Sequence, residues 1–258
     1  MTAEAPAFRP DRPARFAPGW LGDDRGASQG GAALRVERQP DGVERITARP
    51  TGEAETRSVV LIPSARGFTA MYTELCLRLA QRHHWSIAST ELFPGQSEMD
   101  DAARSAAIGQ LDDSTVLERL DSAAESLGSS HAALVGFCVG GMYAYKASAR
   151  ALFDRVVAFY GMVRLQPDWQ RSGQEEPLSC LARRTAEVLA IVGGRDQLVP
   201  AEDVDQLGMH RVRTHVYPEA GHAFAHDPAL PGFRQTDAEA AWRSAVEFIS
   251  VSRTQRRD

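Results

Sequence analysis

The chain is poor in cysteine. Cys76, Cys138 and Cys180 are its only three in 258 residues, odd in number, far apart and free of any C-x-x-C pattern. That excludes a disulfide framework and a zinc knuckle, and it leaves at least one thiol free. No apolar run approaches the roughly 20 residues that cross a bilayer, so no membrane partner is expected. Aromatic residues make up 7% and never interleave with a basic block, and a net charge of -5 is scattered over both signs. Nucleic acid is therefore not expected as a partner. The basic stretch RTQRR at 253–257 reads as a solvated tail.

Metal-ligand spacings and phosphate loops are also missing. Gly193-Gly194 lacks the further glycine and helix opening of a dinucleotide turn. The expectation is no metal and no cofactor. The first residues, MTAEAPAFRPDRPARF, contain no continuous apolar stretch, which argues against a secretory signal and points to a cytoplasmic protein.

What is present is ordinary globular material, 43% apolar and 24% charged. A chain of this size can bury roughly three quarters of its unfolded surface in one large domain. Residues 1–31, rich in Pro, Arg, Gly and Ala, read as a flexible arm, and residues 32–258 as a single domain. AALRVER and VERITAR flank a Pro-Asp-Gly turn signal and predict a β-hairpin.

Beyond residue 57, short apolar runs alternate with amphipathic stretches. RSVVLIPS, WSIASTELF, AALVGFC, RVVAFYG, AEVLAIVGG and VRTHVYP read as strands covered on both faces. Between and after them, Tyr72, Leu75 and Leu79 share one helical face, Val116, Leu120, Ala123 and Leu127 a second, and Ala238, Trp242, Ala245 and Ile249 a third. The predicted fold is α/β: a mostly parallel sheet with helices on both faces and an N-terminal hairpin at one edge. In such sheets ligands bind beyond the carboxyl ends of the strands.

Gly136-Phe137-Cys138-Val139-Gly140 has the form of a nucleophile elbow, with cysteine where serine is more usual. A buried free cysteine can be mere packing. Here the preceding strand and the following helix fit a raised nucleophile, and a helix N-terminus favours a thiolate. Cys76 and Cys180 lack that setting and read as packing residues. His222, in a Gly-flanked loop after a strand, is the expected base, and Asp196, after Gly193-Gly194-Arg195, the acceptor that orients it. The order Cys138, Asp196, His222 is the nucleophile, acid, base order of α/β-hydrolases. His215 reads as a strand residue, and His83 and His84 as solvated.

Ser64-Ala65-Arg66-Gly67 follows another strand, so the N–H of Ala65, with that of Val139, is nominated for an oxyanion hole. Ser64, Arg66, Tyr143, Phe224 and His226 are nominated to line the substrate site. Glu91 reads equally as polar lining or as a structural acceptor.

GFCVGG at 136–141, GGRDQLVP at 193–200 and YPEAGHAFAH at 217–226, with weaker support from FDRVVAFYG at 153–161, resemble the dienelactone hydrolase family of α/β-hydrolases. The likeness spans most of residues 57–250. It implies a hydrolase of lactones, esters or thioesters in which Cys138 attacks the carbonyl, an acyl-cysteine forms, and water activated by His222 releases the acid. Two positions depart from the family. Ser64 stands where it carries a glutamate, and His226 where an arginine holds the substrate's carboxylate. An imidazole is a weaker anion clamp than a guanidinium fork, which points away from dienelactone itself. The same acyl-thiol could serve an acyltransferase or a cyclase, and a third reading is a non-catalytic binder of small ligands. The expected partner is a small acyl substrate, and the expected state a monomer or homodimer.

Overall fold

One eight-stranded sheet runs through the protein in the computed structural model, which describes residues 31–52, 54–171 and 173–251. The hairpin is formed by β1 (Ala32–Arg38) and β2 (Glu44–Pro50), antiparallel in register from Ala32↔Pro50 to Arg38↔Glu44. Its turn closes through the Gln39 N–H, which donates to the Val43 carbonyl at 2.8 Å, with Gly42 supplying a φ of 83°. That left-handed conformation is what the Pro-Asp-Gly signal implies.

The other strands are β3 (Arg57–Ile62), β4 (Trp85–Thr90), β5 (Ala132–Phe137), β6 (Phe153–Phe159), β7 (Glu187–Gly193) and β8 (Arg213–Tyr217). The order across the sheet is β1-β2-β4-β3-β5-β6-β7-β8, antiparallel from β1 to β4 and parallel from there to β8. Every residue of β4, β5 and β6 is buried, as continuous apolar runs in a covered sheet require. A side chain of Val, Leu or Ile size contributes roughly 1.5–3 kcal/mol when fully buried, so these central strands carry much of the stability. β8 departs from the expected pattern. As an edge strand it leaves Arg213 and Val216 exposed.

Helices α1 (Ala70–His83), α2 (Asp101–Ile108), α3 (Asp113–Glu125), α4 (Val139–Ala147), α5 (Pro177–Ala182), α6 (Ala201–Met209) and α7 (Gln235–Ser250) cover the sheet. The three predicted faces are inward: Tyr72, Leu75 and Leu79 pack on one side of the sheet with Ala238, Trp242, Ala245 and Ile249, while Val116, Leu120, Ala123 and Leu127 pack on the other. Thr69 caps α1 by accepting from the Tyr72 N–H at 3.2 Å. The chain's single lysine, Lys146, is buried in α4 with its Nζ 2.7 and 2.9 Å from the two oxygens of Asp113 at the start of α3. Removing one partner of such a buried pair costs about 3–5 kcal/mol, so the contact ties the two helices firmly.

His83 is only partly exposed. Its ring lies 4.7 Å from that of Trp85, and burial, helped by Arg82 and His84, lowers its pKa to about 4. The proposed arm at 1–31, except for Gly31, and the basic stretch at 253–257 lie outside the described residues. Among the described residues no helix is long and apolar enough to cross a membrane.

Candidate active site

β5 ends at Phe137 and α4 begins at Val139, which leaves one residue, Cys138, to turn the chain. It does so at φ 56° and ψ -118°, a conformation that costs an ordinary residue about 1–3 kcal/mol. The corner is possible because its neighbours lack side chains: a Cβ on Gly136 would run into the Gly140 carbonyl, and one on Gly140 into that of Pro63. Hydrogen bonds hold both sides of the turn. The Cys138 N–H donates to the Phe159 carbonyl at 3.0 Å, and the Cys138 carbonyl accepts from Met142 at 2.9 Å. Of the three cysteines only Cys138 is partly exposed, whereas burial raises the other thiols, Cys180 to about 11.

Asp196 follows β7, and its backbone is locked to the loop after β8. The Gly194 N–H donates to Tyr217 and the Arg195 N–H to Ala220, both at 2.8 Å. Asp196 is almost fully buried. One of its oxygens accepts from the Leu198 N–H at 2.9 Å, while the other lies 2.8 Å from His222 Nδ1. Burial opposes a charge on the His222 ring, but Asp196 and Cys138 outweigh it and raise its pKa to about 10. Among the described residues, Nε2 of the same ring is buried with no nitrogen or oxygen partner. Cys138, Asp196 and His222 are thus brought together from three strand ends.

Other nominated residues are distributed unevenly. Ser64, Arg66 and His226 line one small hollow with Thr69, Met71 and Tyr72. The Ser64–Phe68 loop that carries Ala65 is held from outside. Buried Gln96 donates from Nε2 to the Ser64 carbonyl at 2.8 Å, and Ser97 Oγ accepts from the Phe68 N–H at 2.7 Å. Glu91 completes this clamp by accepting from Ser97 Oγ at 3.0 Å, and its burial raises its pKa. Its carboxylate is engaged by Ser97 and by the Glu44 N–H. Tyr143 is not brought into this group: it is fully buried in α4, with its ring 4.8 Å from Lys146 Nζ. Phe224 is also fully buried, packed between Tyr217 and Tyr160.

Sequence reasoning missed Tyr160. It follows β6 at φ 40°, is fully buried, donates its N–H to the Ile191 carbonyl of β7 at 2.7 Å, and sets its ring 5.2 Å from that of His222. Five non-glycine residues among those described have positive φ, and three of them, Cys138, Tyr160 and Ala223, belong to this corner. Such clustering of backbone strain is a mark of functional sites. It leaves no trace in composition or periodicity. Gln96 and Ser97 were missed as well, since a short polar turn carries no local signal of what it clamps.

The dienelactone hydrolase family model matches residues 43–252. The chain is similar to a Salmonella typhimurium protein assigned by name to the carboxymethylenebutenolidases, at 27% identity over 95% of this chain and 94% of the relative. It is also similar to a Bradyrhizobium protein named as a probable 2-oxo-3-(5-oxofuran-2-ylidene)propanoate lactonase, at 28% identity over 78% of this chain and 86% of that protein. Among solved structures, a Klebsiella pneumoniae protein described as of the dienelactone hydrolase kind superposes with a TM-score of 0.77 at 21% identity. That match covers 86% of this chain and 99% of its counterpart.

Proposed function

This chain belongs to the dienelactone hydrolase family and is a hydrolase of lactones or esters; from that premise we propose that it works through a Cys138, His222, Asp196 triad and an acyl-cysteine intermediate. The observation that carries the reading is the 2.8 Å contact between His222 Nδ1 and Asp196, made by a ring whose proton affinity Cys138 also raises. The thiolate is the nucleophilic form of a cysteine, and His222 is the base placed to take the proton of Cys138.

The sulfur of Cys138 attacks the substrate carbonyl carbon, and the carbonyl electrons move onto oxygen. The N–H groups of Ala65 and Val139 are the proposed donors to that oxyanion. As the carbonyl re-forms, the C–O bond to the leaving alkoxide breaks, and the His222 proton passes to that alkoxide. In a lactone the new hydroxyl stays tethered to the acyl-cysteine. A water then attacks the thioester, giving its proton to His222, and the carboxylic acid leaves as the thiolate returns. Lactones, esters and thioesters suit a thiolate better than amides do, because their leaving groups depart without strong protonation.

The test is hydrolysis of a panel of lactones, aryl esters and acyl thioesters by the wild type and by Cys138→Ala, with intact mass recorded during turnover. Loss of turnover with an unchanged circular dichroism spectrum, and an acyl adduct on the wild type alone, is the expected result. Undiminished hydrolysis by the variant would overturn the assignment.

A further inference from the structure

His226 is an odd residue to find beside the corner. It is nearly fully buried, it lines the small hollow with Ser64 and Arg66, and its ring stacks on Phe137 with centroids 5.3 Å apart. Its Nδ1 lies 2.5 Å from the hydroxyl of Tyr160. Tyr160 in turn touches His222 edge-on and is rooted by its N–H in β7, the strand that delivers Asp196. A single aromatic residue therefore connects the base, the acid's strand and the second histidine.

Where the protons sit follows from the surroundings. Burial strongly opposes an imidazolium at His226, and His222 and Arg66 add like-charge repulsion, lowering its pKa to about 3. Burial also keeps the phenol of Tyr160 un-ionised, with Cys138, Asp196 and Asp227 adding to the effect. Two neutral groups share this contact, and the phenolic oxygen already takes a backbone hydrogen bond from Ala225, so its own hydrogen is the one left for the ring. The hydroxyl therefore donates and Nδ1 accepts, which leaves the hydrogen of the imidazole on Nε2.

We propose that Tyr160 is a positioning residue for the hydrolysis, holding His226 as the neutral, Nε2-protonated tautomer and bracing the His222 ring against Asp196. The pair acts as an uncharged wedge. His226 cannot capture the proton that His222 must hold and release, and the one ring nitrogen it has left for the hollow carries a hydrogen. The hollow thereby offers the substrate a neutral donor beside Arg66. The charged or titratable groups around His226 are Tyr160, His222, Arg66 and Asp227, with Cys138 and Asp196 beyond Tyr160.

This inference rests on the triad reading, so its test combines kinetics with a readout independent of turnover. Tyr160→Phe keeps the ring and deletes only the hydroxyl. We expect kcat to fall about tenfold with KM little changed, as loss of one buried hydrogen bond would give, and the acid limb of the kcat/KM profile to move. His226→Asn, whose amide oxygen can take the place of Nδ1, should be impaired clearly less than His226→Leu. Imidazole ¹⁵N spectra of the resting wild type should give His226 the shifts of an unprotonated Nδ1 and a protonated Nε2, and Tyr160→Phe should change them. A wild-type pH profile and kcat in Tyr160→Phe, equal impairment of the Asn and Leu variants, or a protonated Nδ1 in the wild type would each overturn the proposal. The nitrogen spectra need no turnover, so they separate this failure from failure of the triad, which Cys138→Ala reports.

Discussion

Asp196 holds His222 by one carboxylate oxygen at 2.8 Å and the Leu198 N–H by the other at 2.9 Å, so the acid is fixed by its own loop before it meets the base. This division of labour makes the aspartate rigid, and a rigid acceptor selects one tautomer of the ring.

Replacing Asp196 with Asn should keep the loop contact and lose the charge. The amide cannot stabilise the imidazolium, and kcat for ester hydrolysis should fall by about 10³-fold or more with KM changing little. Steady-state kinetics on the best substrate of the panel will check this. A loss below about tenfold would mean that the carboxylate serves only the fold.

Two histidines bend stability in opposite directions with pH. His222 is raised from 6.5 to about 10, so its contribution is complete below about 6.5 and is lost as pH climbs toward 10. His226 is lowered from 6.5 to about 3, so below about 6.5 the unfolded chain takes up a proton that the fold refuses, and stability drops as acid is added. Thermal unfolding from pH 4 to 10 should show both limbs. Asp196→Asn should flatten the alkaline limb, and His226→Asn should reduce the acid one, leaving the part that His83, lowered to about 4, contributes.

A methyl group at Gly136 has nowhere to go, because it points at the Gly140 carbonyl inside the turn. Gly136→Ala should cost about 3 kcal/mol or more, the upper range for overpacking. Urea unfolding will read this directly. Gly95→Ala is a control for the left-handed conformation alone, since a Cβ there meets nothing within 4 Å at φ 70°. It should lose only the smaller amount that strain imposes.

Much of the architecture was legible because burial on both faces leaves a continuous apolar run and burial on one helical face leaves a stripe. β5 and the Tyr72-Leu75-Leu79 face could be read in that way. The amphipathic rule was less useful for α2 and α5, which are short, and for β8, whose edge position depends on which strands its neighbours choose. Cys138 was legible through its glycines, since a corner that excludes every Cβ must be written as glycine. Tyr160 was not, because VVAFYG looks like the end of any buried strand. Glu91 could not be resolved between lining and structural acceptor until Gln96 and Ser97 were seen to clamp the Ser64 loop.

Local rules act through residues adjacent in the chain, so the order of the strands and of the long helices along the chain, the hairpin turn and the glycine corner were settled by the string of amino acids. Which side chains meet above the sheet is a matter of strand order and of backbone approaches between segments far apart in sequence. Tertiary structure alone therefore decided that Tyr160 would stand between two histidines, that His226 would be buried and uncharged, and that Lys146 would meet Asp113.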